Sequence, residues 1–166
     1  MKKYRQPIKR FFLGGALTLC LLSTSPVMAA VNLPPFTLPT ALNGLLVSSD
    51  AYEGQVMLIT FFATWCGPCL QEIPALKAVQ SQYQSQGFSV VALAVDEGGA
   101  GTVGRLVKKA GINYQVLLAD ESTRHNFGGV ASIPTSFLVN KQGHVVKKYA
   151  GLVPRSLLER DIESVL

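Results

Sequence analysis

Apolar residues run almost without interruption through VMLITFFA, 56–63, and again through FSVVALAV, 88–95. Such short runs, rich in β-branched and aromatic side chains, suit strands covered on both faces. Between them Leu70, Ile73, Leu76, Val79 and Tyr83 recur at spacings of three and four, and Gly87 follows as a helix-ending residue. The order is strand, helix, strand, a parallel crossover of the right-handed kind. Val103, Leu106, Val107 and Ala110 then stand at i, i+3, i+4 and i+7, which predicts a second helix with Thr102 as N-cap and Gly111 just past its end. Its outer face carries Arg105, Lys108 and Lys109.

YQVLLAD, 114–120, reads as a short strand, and Asp120 as the cap of a short helix reaching Phe127. IPTSFLVN and HVVKKYAG bracket Lys141-Gln142-Gly143, a hairpin signal, and Pro154 opens a last helix carrying Leu158, Ile162 and Val165. Upstream, FTLPTAL and LLVSS flank Asn43-Gly44, the pair that a type I′ hairpin turn favours. Together these elements predict an α/β domain, its central mixed sheet covered by helices on both faces.

Charge changes the picture at one end only. Of the 15 basic residues, five (Lys2, Lys3, Arg5, Lys9 and Arg10) precede the apolar stretch FFLGGALTLCLL, and no acid accompanies them. SPVMAA follows, with small residues at Val27 and Ala29. This is the layout of a secretory signal peptide spanning 1–29, cut near Ala29 or Ala30, and the apolar stretch is shorter than the roughly 20 residues that cross a bilayer. Cys20 lies inside it and is expected to leave with it. Without this leader ten basic residues face ten acidic ones. The net charge of +5 therefore supports neither nucleic-acid binding nor attraction to an anionic membrane by the folded part, and any membrane contact is expected only through an uncleaved leader. The remaining 30–166 is the length of one domain with one core.

Two of the three cysteines fall in WCGPC, 65–69, where the first apolar strand gives way to the first helix. Cys66 is placed beside the unpaired N–H groups of that helix. Such a terminus favours an anion by about 0.3–1 kcal/mol, and by up to ~2 when partly buried. At 1.36 kcal/mol per unit, the upper figure moves a thiol from ~8.5 toward ~7. One helical turn brings Cys69 within disulfide reach of Cys66, so an exchange centre is expected, and export allows the pair to cycle between dithiol and disulfide. A purely structural disulfide is the first alternative, but so small a ring restrains the unfolded chain little. A zinc site would need two further ligands, and His125 and His144 stand isolated in polar surroundings. Gly99, Gly101 and Gly104 spell GxGxxG, with Asp120 further on, which is a dinucleotide-binding spacing. Asp96 and Glu97 precede those glycines with the wrong charge for a pyrophosphate, and the second nucleotide-binding half is missing.

FFATWCGPCLQEIPAL resembles the active-site segment of the TlpA/ResA-like exported thiol:disulfide oxidoreductases. The resemblance extends in order through EGQVMLITFF, YQVLLAD and IPTSFLVNKQGHVVKKYAG. It implies a thioredoxin-like fold with an added N-terminal β-hairpin and a central α/β insertion. It implies Cys66 as the attacking thiol, Cys69 as the resolving thiol, and Trp65 as a shield for the site. Pro134, after Ile133, would be a cis-proline opposite the sulfurs, where a client segment lies against Trp65, Ile133 and Pro134. Glu72, one turn beyond Cys69, would tune the cysteines and move protons, its other reading being a charge on an exposed helix face. Cytosolic thioredoxins carry a buried Asp six residues before the first cysteine, where this chain has Thr60. The aromatic in FGGVASIP, Phe127, stands one residue farther from Pro134 than in the family pattern, and Pro74 falls inside the helix, where it should kink it.

The resemblance further implies a monomer of the periplasm or another extracytoplasmic space, with no cofactor and no metal. Its partners would be disulfide-containing exported proteins and a membrane thiol:disulfide reductase that recharges the pair. The Gly-Pro spacer favours a reductant, with cytochrome c maturation or general antioxidant thiol repair as the use. A disulfide-forming oxidase of the same fold and a non-catalytic binding or chaperone module are the competing readings.

Overall fold

The computed structural model describes residues 31–166, so the signal-peptide reading and Cys20 lie outside the described residues. Among the described residues seven strands and four α-helices follow one another: β1 Thr37–Pro39, β2 Leu46–Ser48, β3 Val56–Phe62, α1 Gly67–Tyr83, β4 Phe88–Ala94, α2 Gly99–Ala110, β5 Gln115–Leu118, α3 Glu121–Asn126, β6 Thr135–Val139, β7 Val145–Ala150 and α4 Arg155–Glu163. The main sheet has the order β5-β4-β3-β6-β7, and β1-β2 form a separate two-stranded sheet. β4 is parallel to both β3 and β5, whereas β6 is antiparallel to β3 and β7. The mixed sheet, the added N-terminal hairpin and the extra α2-β5 unit at one edge are those the resemblance implied.

β3 occupies the centre because all seven of its residues are buried. Its odd-numbered side chains, Met57, Ile59 and Phe61, pack with Phe36, Leu38, Phe127 and Phe137 beneath the N-terminal segment and α3. Val56 and Leu58 point the other way, to Leu76, Val79 and Tyr83 of α1 and Leu158 and Ile162 of α4. Farther along the same face Phe62, Ala92 and Ala94 meet Val103 and Val107 of α2, with both active-motif cysteines in that cluster. The small Ala92 and Ala94 let α2 and the start of α1 lie close to the sheet. Elsewhere Tyr83 and Glu163 link α1 to α4, the phenol donating to Oε1 at 2.6 Å. Burial, followed by that carboxylate, pushes the Tyr83 phenol up to about 12.

Three local expectations differ. The Asn43-Gly44 turn is not type I′, because only Gly44 has positive φ (+72°) and no residue other than glycine does. The loop instead spans four residues: Thr40 N–H donates to Leu45 O at 2.9 Å and Gly44 N–H to Thr40 O at 3.1 Å. Asn43 Oδ1 accepts from Leu45 N–H at 3.2 Å, and Ala41 N–H is drawn out to Val116 O of β5 at 3.0 Å, so tertiary pairing decides the turn. α2 starts three residues before Thr102, which lies within its first turn and accepts from Arg105 Nη2 at 3.2 Å instead of capping. Gly104 is there for contact, since a Cβ would come within 3.0 Å of the Ala41 carbonyl oxygen. Leu70, assigned to the buried stripe of α1, is 36% exposed, and Cys69 and Glu72 are buried in its place.

Candidate active site

β3 ends at Phe62, a four-residue link follows, and Cys66 becomes the N-cap of α1 with extended φ −85° and ψ 103°. The Cys66 N–H donates to Ala63 O at 3.1 Å, and its Sγ accepts from the Cys69 N–H at 3.3 Å. That second contact is the helix-terminus interaction expected to favour a thiolate. Pro68, in the first turn, has no N–H to leave unpaired. The two sulfurs form a disulfide of 2.07 Å with the Cα atoms 5.3 Å apart. Cys66 is 6% exposed and Cys69 2%, so Cys66 keeps the larger free surface of the two.

The Ile133-Pro134 peptide is cis, at the start of β6. It faces the disulfide from the neighbouring strand: Ile133 O lies 3.8 Å from Cys66 Sγ. Pro134 O accepts from the Gly151 N–H at 2.8 Å, which ties this loop to the end of β7. Trp65, the residue before Cys66, is 72% exposed and offers an apolar surface at the site. Trp65 and Ile133 line a cleft of about 490 Å³ together with Thr64, Asp96, Glu97 and Arg124. Cys66, Cys69, Trp65, Ile133 and Pro134 thus meet at one end of the sheet.

Glu72 is 2% exposed, which excludes the exposed-face reading. Its Oε1 accepts from the Val153 N–H, in the link between β7 and α4, at 3.0 Å. Burial pushes its carboxyl above the usual range, and the Val153 N–H offsets part of that rise. Because the folded value is raised, the folded chain holds this proton longer than the unfolded chain. The stability tied to it is complete below the unfolded value of ~4.3 and is lost as pH rises through the folded one. Glu72→Gln removes this dependence while retaining an acceptor for Val153. Urea unfolding from pH 4 to pH 8 is expected to show the variant gaining on the wild type as pH rises, whereas a constant difference would place the raised acid elsewhere.

At the position of the thioredoxin Asp, Thr60 is 1% exposed and its hydroxyl accepts from Ser136 Oγ at 2.9 Å. A neutral hydroxyl pair therefore occupies that site. Pro74 lies within α1, which runs on through it to Tyr83. The GxGxxG glycines fall in the first two turns of α2, and Asp120 caps α3 by accepting from the Thr123 N–H at 2.7 Å. Both parts of the dinucleotide signal therefore serve local structure. Among the described residues no group of three or more His, Cys, Asp or Glu is arranged to hold a metal, and no helix is long and apolar enough to cross a membrane. Sequence reasoning missed two partners: Val153 for Glu72, and Asp96 for Thr64. Neither has a local signal, because the pairs are 81 and 32 residues apart.

Known proteins resemble this arrangement. The thiol-disulfide oxidoreductase ResA of Bacillus subtilis is 31% identical over 116 residues, which is 70% of this chain and 64% of that protein. The chain thus spans just under two thirds of that relative's length. ResA of Geobacillus kaustophilus is 29% identical over 80% of this chain and 75% of its own length. Among solved structures, a thiol:disulfide interchange protein of the thioredoxin family from Chlorobium tepidum superposes with a TM-score of 0.77 at 32% identity, covering 83% of this chain and 97% of that one. The Redoxin family model matches residues 28–166. With the CxxC pair at the head of α1 and the cis-proline loop beside it, the chain belongs to the Redoxin family and has the thioredoxin fold.

Proposed function

We propose that the chain is a thiol:disulfide oxidoreductase that reduces disulfides of other exported proteins through Cys66 and Cys69. The observation that carries this reading is the pair itself: Cys66 caps α1, accepts from the Cys69 N–H at 3.3 Å, and lies 3.8 Å from the carbonyl before a cis-proline. In the reduced chain the Cys66 thiolate attacks one sulfur of a client disulfide. A bond forms between Cys66 Sγ and that sulfur, and the client's other sulfur leaves as a thiolate and takes a proton. Cys69, deprotonated, then attacks Cys66 Sγ, closing the 66–69 disulfide and releasing the client's second thiolate, which is protonated in turn. Two electrons and two protons pass to the client. Trp65, Ile133 and Pro134 seat the extended client segment, and buried Glu72 is the acid placed one turn from Cys69 to take or return its proton.

The charge pattern of residues 1–29 supports export to the periplasm or another extracytoplasmic space, with the folded part acting there as a monomer. A membrane thiol:disulfide reductase would recharge the pair, and cytochrome c maturation is one use such a reductant would serve. Equilibration of the Cys66/Cys69 couple against glutathione tests the direction. A potential near that of thioredoxin, roughly −270 mV, is expected, and a value near the roughly −120 mV of a strong oxidant would reassign the chain to disulfide formation.

A further inference from the structure

The nucleophile's approach segment is fastened by a side chain that the exchange steps do not use. Asp96 follows Val95, whose N–H continues the β3-β4 ladder by donating to Phe62 O at 2.9 Å. From this anchored strand end the Asp96 carboxylate accepts from the Thr64 N–H through both oxygens, at 3.1 and 3.0 Å, and Oδ1 also accepts from the Thr64 hydroxyl. Thr64 is the second residue of the link between β3 and α1, two before Cys66, and the link is closed by the 3.1 Å bond from the Cys66 N–H to Ala63 O. Both hydrogen-bond donors of Thr64 are therefore held by one carboxylate. Trp65, next in line, has 72% of its surface free and does not brace the link itself.

We propose that Asp96 is a positioning residue for the exchange reaction: through Thr64 it fixes the 63–66 link so that Cys66 stays at the N-terminus of α1, in line for attack beside Ile133. The inference rests on the exchange reading above. A charged side chain accepting from an uncharged backbone N–H and a hydroxyl makes bonds stronger than neutral ones, and it does so from the end of β4, an interior strand whose ladder Val95 continues. Small misplacements of a reacting atom are costly, and an error near 1 Å can slow a reaction ~100-fold. Glu97 and Arg124 line the same cleft, so a change of charge at Asp96 is separable from a change of position only with an uncharged acceptor as control.

The test follows attack of the reduced chain on glutathione disulfide across a pH series, which separates the plateau rate from the midpoint. Asp96→Ala is expected to lower the plateau about tenfold, whereas Asp96→Asn, whose Oδ1 still accepts from Thr64, stays within about threefold of the wild type. Thr64→Val, which removes the hydroxyl and keeps the N–H, is expected to slow attack severalfold. Combined with Asp96→Ala it should cost less than the product of the two single effects. An Asp96→Ala plateau equal to the wild type's, an Asp96→Asn plateau as low as Asp96→Ala's, or independent effects in the combined variant would each overturn the proposal. If Asp96→Ala does not fold, Thr64→Val decides alone, and a wild-type plateau there sinks the idea. Attack on glutathione disulfide needs only a reactive Cys66, so failure to reduce insulin would remove the functional reading and leave this comparison standing.

Discussion

Cys66→Ser is expected to bring dithiothreitol-driven reduction of insulin down to the rate of dithiothreitol alone. Serine keeps the size of the N-cap side chain and its ability to accept from the residue 69 N–H, so the fold is retained. What disappears is the sulfur that must bond to the client, and no other cysteine among the described residues is placed to replace it. Cys69, in the first turn of α1, is 2% exposed against 6% for Cys66, so it is the less accessible of the two. Cys69→Ser gives the complementary result. Attack proceeds but resolution does not, so a mixed disulfide between Cys66 and the client accumulates and is visible on a non-reducing gel. Equal rates for wild type and Cys66→Ser would instead favour the binding or chaperone module.

Phe61→Ala should cause the largest loss of stability. Phe61 is fully buried in the central strand, and its ring meets Phe127 edge-on at 5.1 Å between centroids and Phe137 at 6.2 Å. Truncating a buried phenylalanine costs ~3–5 kcal/mol through lost transfer energy and the cavity left behind. Both neighbours are themselves buried, Phe127 in the turn after α3 and Phe137 in β6, so the site has little freedom to collapse. For a domain of this size the loss corresponds to a melting temperature lower by roughly 10–20 °C. Thermal unfolding followed by circular dichroism checks it, and a shift of only a few degrees would mean that the aromatic cluster repacks. Phe61 lies on the face away from α1, so the exchange rate per folded molecule should change little.

Much of this architecture was legible because the strands are near-continuous apolar runs and the helices carry three- and four-residue spacing. Val56–Phe62 and Phe88–Ala94 are found where VMLITFFA and FSVVALAV placed them, and Gly87 and Gly111 end their helical segments with φ of 83° and 56°. Leu70 escaped the pattern because the first turn of α1 rotates Cys69 and Glu72 inward, leaving the leucine on a shallow groove with Pro74 and Leu106. The Asn43-Gly44 turn departs from type I′ because Ala41 pairs with Val116, a partner more than seventy positions later that no local rule contains. The cysteine pair was readable from its spacing together with Trp65, the apolar strand before it and the helix after it. The Asp96–Thr64 contact was not, since an acid after an apolar strand reads as surface charge until the fold brings the link from β3 beside it.

Acidification of Cys66 by the head of α1 is measured most directly by alkylating the reduced chain with iodoacetamide across pH, read out separately for Cys66 and Cys69 by mass spectrometry. The Cys66 midpoint is expected below the ~8.5 of an unperturbed thiol, with Cys69 reacting more slowly throughout. A Cys66 midpoint at the unperturbed value, with no preference over Cys69, would contradict it.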